Sequence, residues 1–303
     1  VSGLFDLQVN GFAGVDFQAA PPLAEVRRAC AALHAHGTTR ILATFITDTT
    51  ERLARSFALF EQHRRADPLV AATIVGYHLE GPYLSAALGY RGAHPGDLMK
   101  DPDHAEFARW QDAAGGAIRL VTIAPERGGA AEFTAACVAG GVRVSLGHTD
   151  ADDRAIDAAI RAGATLCTHL GNGCPGELHR HDNIIHRLLA RDELIACLIP
   201  DGVHLPPHVL KNFFRAKPPG QVILTTDAMA AAGAPPGRYT IGPHAMDVGA
   251  DRIVRMPGAK NFAGSALTLD DGVANAARWL GLSTADATAL ASTIPARALG
   301  YDA

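Results

Sequence analysis

The 303-residue sequence predicts an α/β fold, a (β/α)8 barrel of the TIM type, on three observations. Eight short β-branched runs alternate with Ala-rich stretches of helical character. The runs are apolar without clean alternation, as expected of parallel strands buried on both faces. Ionisable residues fall directly after several of them, which in a barrel gathers these groups at the C-terminal mouth. An open, doubly wound sheet is the competing arrangement, but eight strand–helix units at this length close naturally into a barrel.

The units follow in order. The strand Leu4–Asn10 precedes the helix Leu23–His36, which Gly37 stops as a C-cap. Thr39–Phe45 leads to Glu51–Ala66. The third strand, Ala71–Leu79, ends on Glu80, and His104–Ala114 supplies its helix. Ile118–Ile123 precedes Ala130–Ala139. Val142–Leu146 runs through Gly147 to His148, with the helix Ala151–Ala162 behind it. Ala164–Thr168 closes on His169, and Ile184–Ala190 follows. Leu194–Pro200 leads to Asp201 and, three residues on, to His204, before the helix Pro207–Lys217. The eighth strand, Gln221–Thr226, leads to Asp227. Ala234–Gly258, rich in Gly and Pro, is the longest irregular stretch and suits a hairpin or lid over one barrel end. Thr268–Leu280 and Ala285–Leu299 form a helical tail. One catalytic barrel over residues 1–303 is the expected organisation.

Composition narrows the class. With 48% hydrophobic and 19% charged residues the chain can build a core, which excludes intrinsic disorder. Twenty-seven basic against 31 acidic residues leave a net charge of -4, so the footprint of a nucleic-acid binder is missing. No apolar run reaches the roughly 18 residues that a membrane span needs. Val1 to Asn10 has no basic region and carries Asp6, unlike a signal peptide. Five cysteines without a C-x-x-C pair point to reduced thiols and a cytoplasmic setting. Fourteen histidines invite a search for metal ligands.

Glu80, His148, His169, His204 and Asp227 all fall at strand ends. Two histidines and one carboxylate suffice for a catalytic zinc-type site that keeps a position open for water. Asp227 is then free to take a proton from that water, and His204 to polarise a carbonyl oxygen. The chemistry suggested is metal-assisted hydrolysis of an amide or ester. Taken singly, each residue has a plainer reading. A histidine at a strand end is more often capped or solvated, Glu80 can serve an ion pair, and Asp227 can cap a helix at Ala228–Ala232. Their gathering at one barrel end favours the site.

The motifs resemble those of the N-acetylglucosamine-6-phosphate deacetylase family within the amidohydrolase superfamily. The matching segments are Phe5–Gly11 (FDLQVNG), Gly76–Tyr83 (GYHLEGPY), Gly92–His94 (GAH), Gly147–Thr149 (GHT), Thr168–Asn172 (THLGN), Asp201–His204 (DGVH), Thr226–Gly233 (TDAMAAAG) and Phe262–Thr268 (FAGSALT). They occur in family order and span nearly the whole chain. The resemblance implies that Glu80, His148 and His169 hold one divalent metal and that Asp227 is the catalytic acid/base. It implies that His204 contacts the N-acyl carbonyl, that Asn172 and Gly173 bind substrate, and that Phe262, Ala263 and Gly264 touch the sugar. It places Ala93 and His94 near the substrate and a dimer interface, with His94 reaching a neighbouring subunit's site. Many superfamily members carry H-x-H at the end of the first strand, where this chain has Gln8-Val9-Asn10. Amides are poor ligands for zinc-like metals, so one metal is expected, zinc first, with iron, cobalt or manganese as alternatives.

Two further histidine pairs need placing. His34-Ala35-His36 ends a helix and suits its dipole rather than a metal. His179-Arg180-His181 stands where the family has a phosphate-binding arginine, although the surrounding residues differ. Arg180 is therefore the expected phosphate contact, with pairing to a carboxylate such as Asp182 as the alternative. The implied partners are a small amino-sugar substrate and a second copy of the chain in a homodimer, with neither nucleic acid nor membrane. Family members add a small β-sandwich from segments flanking the barrel; a chain running from Val1 to Ala303 is expected to lack it.

Three other functions compete. A related amidohydrolase acting on an unphosphorylated N-acetyl sugar, an N-acyl amino acid or a cyclic amide would share the site and differ in its loops. A degenerate sugar-binding barrel would have lost a ligand or the base, and none of the four key groups is missing. A barrel isomerase or aldolase would place a lysine after a strand, whereas Lys211 and Lys217 fall in the helix after strand seven. Walker, Rossmann and H-E-x-x-H motifs are absent.

Overall fold

Eight parallel strands pair in chain order in the computed structural model, which describes residues 3–257 and 264–301. β1 (Leu4–Val9) is followed by a small hairpin of β2 (Gly11–Phe12) and β3 (Val15–Asp16). The barrel continues with β4 (Thr38–Ile46), β5 (Ile74–Glu80), β6 (Ile118–Ile123), β7 (Arg143–Leu146), β8 (Leu166–Cys167), β9 (Ile195–Leu198) and β10 (Val222–Leu224). Hydrogen-bonded neighbours run β1-β4-β5-β6-β7-β8-β9-β10. A doubly wound sheet reverses its strand order at a switch point; this one never does, so the barrel is the arrangement found.

The seam between β10 and β1 is closed without a full ladder. Asn10 N–H donates to Ala228 O at 2.7 Å, and Val9 and Ala228 form a single parallel bridge. Asp6, buried in β1, accepts from the hydroxyls of Thr225 and Thr226 at 2.6 Å each. Burial pushes its carboxyl above the ordinary range despite these bonds.

The helices are α1 (Leu23–Ala35), α2 (Thr50–Ala66), α3 (Pro68–Thr73), α4 (His104–Ala113), α5 (Ala130–Ala139), α6 (Asp153–Arg161), α7 (Ile184–Leu189), α8 (Pro207–Ala216), α9 (Leu269–Leu280), α10 (Thr284–Ala289) and α11 (Thr293–Ala298). Local chemistry sets several of their starts. Thr49, Asp103, Asp152 and Asn183 each accept a backbone N–H of the first turn. Among the described residues no helix is long and apolar enough to cross a membrane.

Strand faces separate two cores. Leu42, Leu120, Cys197 and Ile223 form one cluster, while Ile41, Ala43, Val121, Ala196, Leu198, Val222 and Leu224 belong to another. Alternate residues of a strand face opposite sides. The second cluster includes Val26, Leu53, Phe57 and Phe60 from α1 and α2, so it fills the shell between barrel and helices. The first therefore lies inside the barrel, where Phe5 stacks edge-on against Tyr301 beyond α11, ring centroids 5.5 Å apart.

Phe45 is the hub of the outer core, with ring centroids 5.0 Å from Phe57, 5.1 Å from Phe60 and 5.9 Å from Tyr77. Phe45→Ala is expected to cost about 3–5 kcal/mol of stability, read as a lower midpoint in urea unfolding. A loss below about 1 kcal/mol would mean that this cluster closes over the gap.

Two predicted elements differ. The run expected to begin a strand at Ala71 is first a helical turn, because Asp67 caps it at Leu69 and Val70 and Pro68 fits its first position. The tail helix predicted over 285–299 is two helices, α10 and α11, with Leu290 to Ser292 between them. The stretch after β10 contains an antiparallel sheet of β11 (Gly237–Ile241), β12 (His244–Val248) and β13 (Val254–Arg255). Its apolar face packs on Ile46, Met229, Ala230 and Ala231. Thr240 Oγ1 and Gly242 N–H donate to Asp16 Oδ2, tying the sheet to β3 at the barrel mouth.

Candidate active site

Three strand ends bring three side chains to one point. Glu80 is the last residue of β5, and His148 and His169 lie two residues beyond β7 and β8. His169 Nε2 is 3.0 Å from Glu80 Oε1 and 3.1 Å from His148 Nε2, and His148 Nε2 is 3.3 Å from Glu80 Oε1. Ligands held at about 2.0–2.2 Å by a tetrahedral ion stand about 3.3–3.6 Å apart, close to this spacing. All three are buried, and no other such group of His, Cys, Asp or Glu converges among the described residues. Burial pushes the Glu80 carboxyl up, but His148 and His169 outweigh it and hold the group well below its ordinary value.

The surroundings aim these groups. The Tyr90 carbonyl lies 2.7 Å from His148 Nδ1 and accepts its N–H, which leaves the Nε2 lone pair facing Glu80. Gly92 and Gly173, both at positive φ, flank that ring: a Cβ would come within 3.0 Å of its Cε1 or 2.9 Å of its Nδ1. Gln8 Nε2 donates to the other oxygen of Glu80 at 3.1 Å. His148, His169 and Asp227 themselves have φ of 50°, 29° and 52°, a region that costs a non-glycine residue of order 1 kcal/mol or more. Only three other described non-glycine residues do this, so backbone strain is concentrated at the mouth.

Asp227 follows β10 on the other side of the site. Asn10 Nδ2 donates to its Oδ1 at 2.7 Å. Burial, then the negative charge of Glu80, push its carboxyl up to about 6. His204 is held by Asp201: the carboxylate meets its Nδ1 at 2.6 Å and its backbone N–H at 2.7 Å. Burial raises the Asp201 carboxyl, yet the bonds from His204 and the backbone bring it below its ordinary value.

His94 is also part of this site. The Thr47 N–H donates to its Nδ1 at 3.4 Å, so Nε2 carries the proton and points to Glu80 Oε2, 3.9 Å away. Burial, then His148, push its ring down to about 3, which keeps it neutral. A cavity of about 480 Å³ opens above these groups, within the range of small-ligand sites.

No family model matches the chain. The chain is 32% identical over 300 residues to an N-acetylglucosamine-6-phosphate deacetylase of Bacillus subtilis, covering 98% of itself and 74% of that relative. The chain belongs to the N-acetylglucosamine-6-phosphate deacetylase family. It is accordingly a deacetylase, a hydrolytic enzyme. An N-acetylgalactosamine-6-phosphate deacetylase of a Shewanella species is also 32% identical, over 98% of this chain and 73% of its own length. Among solved structures, a point mutant of the Mycobacterium smegmatis N-acetyl-D-glucosamine-6-phosphate deacetylase, in complex with N-acetyl-D-glucosamine-6-phosphate, superposes with a TM-score of 0.90. It is 38% identical, and the match covers all of this chain and 78% of that one.

Most residues that the family resemblance singled out meet at the cavity. Ala93, His94, Asn172, Gly173, His204, Asp227 and Gly264 line it together with the three candidate metal ligands. The Asn172 Nδ2 is buried with no partner among the described residues, as suits an atom kept for a ligand. Phe262 and Ala263 lie outside the described residues. His94, expected at a neighbouring subunit's site, is instead buried in its own chain's site.

Arg180, the expected phosphate contact, is exposed and does not line the cavity. Asp182 pairs with Arg187, not with Arg180. His34 bonds Thr73 and His36 bonds Asp270, so that pair is structural. Sequence reasoning missed the work of Gln8 and Asn10 as orienting groups. The signal was the Q-x-N in place of H-x-H: amides that cannot replace imidazole ligands can still hold carboxylates.

Proposed function

We propose that this chain hydrolyses the acetamide of N-acetylglucosamine 6-phosphate, releasing acetate and glucosamine 6-phosphate. The observation that carries the reading is the convergence of Glu80, His148 and His169 beside Asp227 at the mouth of a barrel of this deacetylase family. Glu80, His148 and His169 would hold one divalent ion, zinc by its preference for two imidazoles and a carboxylate with an open position. When bound, such an ion supplies Lewis acidity and makes water a competent nucleophile near neutral pH.

The chain's own residues do the rest. Asp227 accepts the proton of the attacking water and returns it to the departing amine nitrogen. Asn10 fixes the carboxylate for both transfers by holding Oδ1. His204, oriented by Asp201, donates to the acetamide oxygen as negative charge builds there. His94 presents a second N–H to the same cavity, and Asn172 offers its side-chain amide to the sugar.

Asp227 works as a base only when ionised, so kcat/KM is expected to fall as pH drops through its pKa. That pKa is about 6 beside the Glu80 charge, and a bound dication would lower it. The acid limb of the profile should therefore lie near pH 6 or below. A limb well above that value would assign the titration to another group.

Acetate release from N-acetylglucosamine 6-phosphate, measured on protein of known metal content, tests the reading. Absence of release from metal-loaded protein overturns it. The 4-epimer, N-acetylgalactosamine 6-phosphate, is the second reading, because the Shewanella relative that bears that activity in its name is equally similar. The two phosphorylated sugars assayed side by side decide between them.

A further inference from the structure

Below the three candidate metal ligands, the interior of the barrel is polar. His78 of β5, Thr122 of β6, Ser145 of β7 and Thr168, just beyond β8, are all buried, and none of them lines the cavity. They form one hydrogen-bonded string. His78 Nε2 lies 2.7 Å from Thr122 Oγ1, Thr122 Oγ1 lies 2.7 Å from Thr168 Oγ1, and Ser145 Oγ lies 2.6 Å from Thr168 Oγ1. Packing does not call for these side chains. Leu120 and Leu166, two residues earlier on the same strands, belong to an apolar cluster inside the barrel. Aliphatic side chains would fill the next layer as well, without the cost of burying polar atoms.

The string meets the chain beside every ligand. Thr168 directly precedes His169. His78 stands two residues before Glu80 on the same face of β5, and the Gly81 N–H, just after Glu80, donates to Thr122 O at 3.3 Å. Gly147, just before His148, lies against both threonines: a Cβ there would stand 2.9 Å from Thr168 Cβ and 3.0 Å from Thr122 Cγ2. Thr122 is the node. Its hydroxyl links His78 to Thr168, its methyl lies under Gly147, and its carbonyl holds Gly81. His148 and His169 have φ of 50° and 29°, and such backbone persists only where the surroundings over-determine it. The threonine pair supplies that constraint from below.

We propose that Thr122 is a positioning residue for the metal centre: through its hydroxyl bonds to His78 and Thr168 it sets the spacing of Glu80, His148 and His169. The inference rests on the reading of those three residues as the metal ligands. With two partners and one proton, the Thr122 hydroxyl donates one bond and accepts the other. Its loss leaves a buried nitrogen and a buried hydroxyl each short of a partner. A ligand set displaced by about 0.5 Å is no longer organised for its ion.

The test compares wild type, T122V, T122S and S145A after metal is removed and returned. T122V keeps the shape and the methyl and loses the hydroxyl, whereas T122S keeps the hydroxyl and loses the methyl. Zn2+ affinity, read by competition with a chromophoric chelator, should weaken by about tenfold or more in T122V and return to within about threefold of wild type in T122S. Bound Co2+, whose visible absorption reports ligand geometry, should give an altered spectrum in T122V and the wild-type spectrum in T122S. At saturating Zn2+, kcat of T122V should fall by about tenfold or more with KM changed by less than about threefold. S145A removes only the far end of the string, and its Zn2+ affinity should weaken by about threefold.

Failures separate cleanly. A wild type that binds no Zn2+ overturns the ligand reading and this inference with it. Binding that survives unchanged in T122V, in affinity and in the Co2+ spectrum, overturns the role of Thr122 alone. Equal losses in T122V and T122S do the same and make Thr122 a packing residue. Should T122V fail to fold, S145A carries the decision: an unchanged Zn2+ affinity there overturns the proposal.

Discussion

Replacing Asp227 with asparagine should leave the metal in place and remove about two to four orders of magnitude from kcat. The side chain keeps its shape, so packing around β10 is preserved, and the new amide could still face Asn10 once it turns. What is lost is the proton acceptor. In the wild type the carboxylate is buried beside the negative charge of Glu80, and the neutral amide of Asn10 bonds it. Its basicity is therefore raised rather than quenched, up to about 6. An amide in that position cannot take a proton from water or return one to the amine. Turnover by metal-replete Asp227→Asn, measured as acetate release, is the check. A variant within about tenfold of wild type would remove Asp227 from the proton path.

The second large effect concerns the ligand set. His169→Asn should drop bound metal from one ion per chain to a small fraction and lower turnover by about 10³-fold or more. Two ligands of three remain, and both are held by contacts independent of His169: Glu80 by Gln8, and His148 by Tyr90. The cavity should keep its shape while losing its cation. Metal analysis and turnover on the same preparation read the two consequences together. Full metal content with full turnover would show that the ion sits elsewhere. Loss of turnover with metal retained would assign His169 to substrate instead.

Much of the site was legible because a barrel turns sequence position into spatial position. Glu80, His148, His169 and Asp227 are far apart in the chain, yet each follows an apolar run, and parallel strands deliver all four to one rim. The apolar runs themselves were less informative about their ends. Ala71–Thr73 reads as the start of a strand, but Asp67 and Pro68 begin a helical turn that runs through it, and capping outweighed composition. The antiparallel sheet over 237–255 is held largely by contacts remote in sequence, with Ile46 and Asp16, which no local pattern reveals.

Residues that aim other residues were the hardest to foresee. Gln8 and Asn10 act through Glu80 and Asp227, and Tyr90 acts through a backbone carbonyl that any residue type would offer. Motif spacing favoured Arg180, which is exposed and does not line the cavity of its own chain.

The left-handed backbone at His148, His169 and Asp227 has an evolutionary consequence. Glycine at any of the three would relax the chain and, on that count, give a sturdier barrel. Stability and chemistry therefore pull these positions in opposite directions. A lineage released from selection for activity would be expected to erode first at these three residues. The barrel could outlive its function in a hardier form.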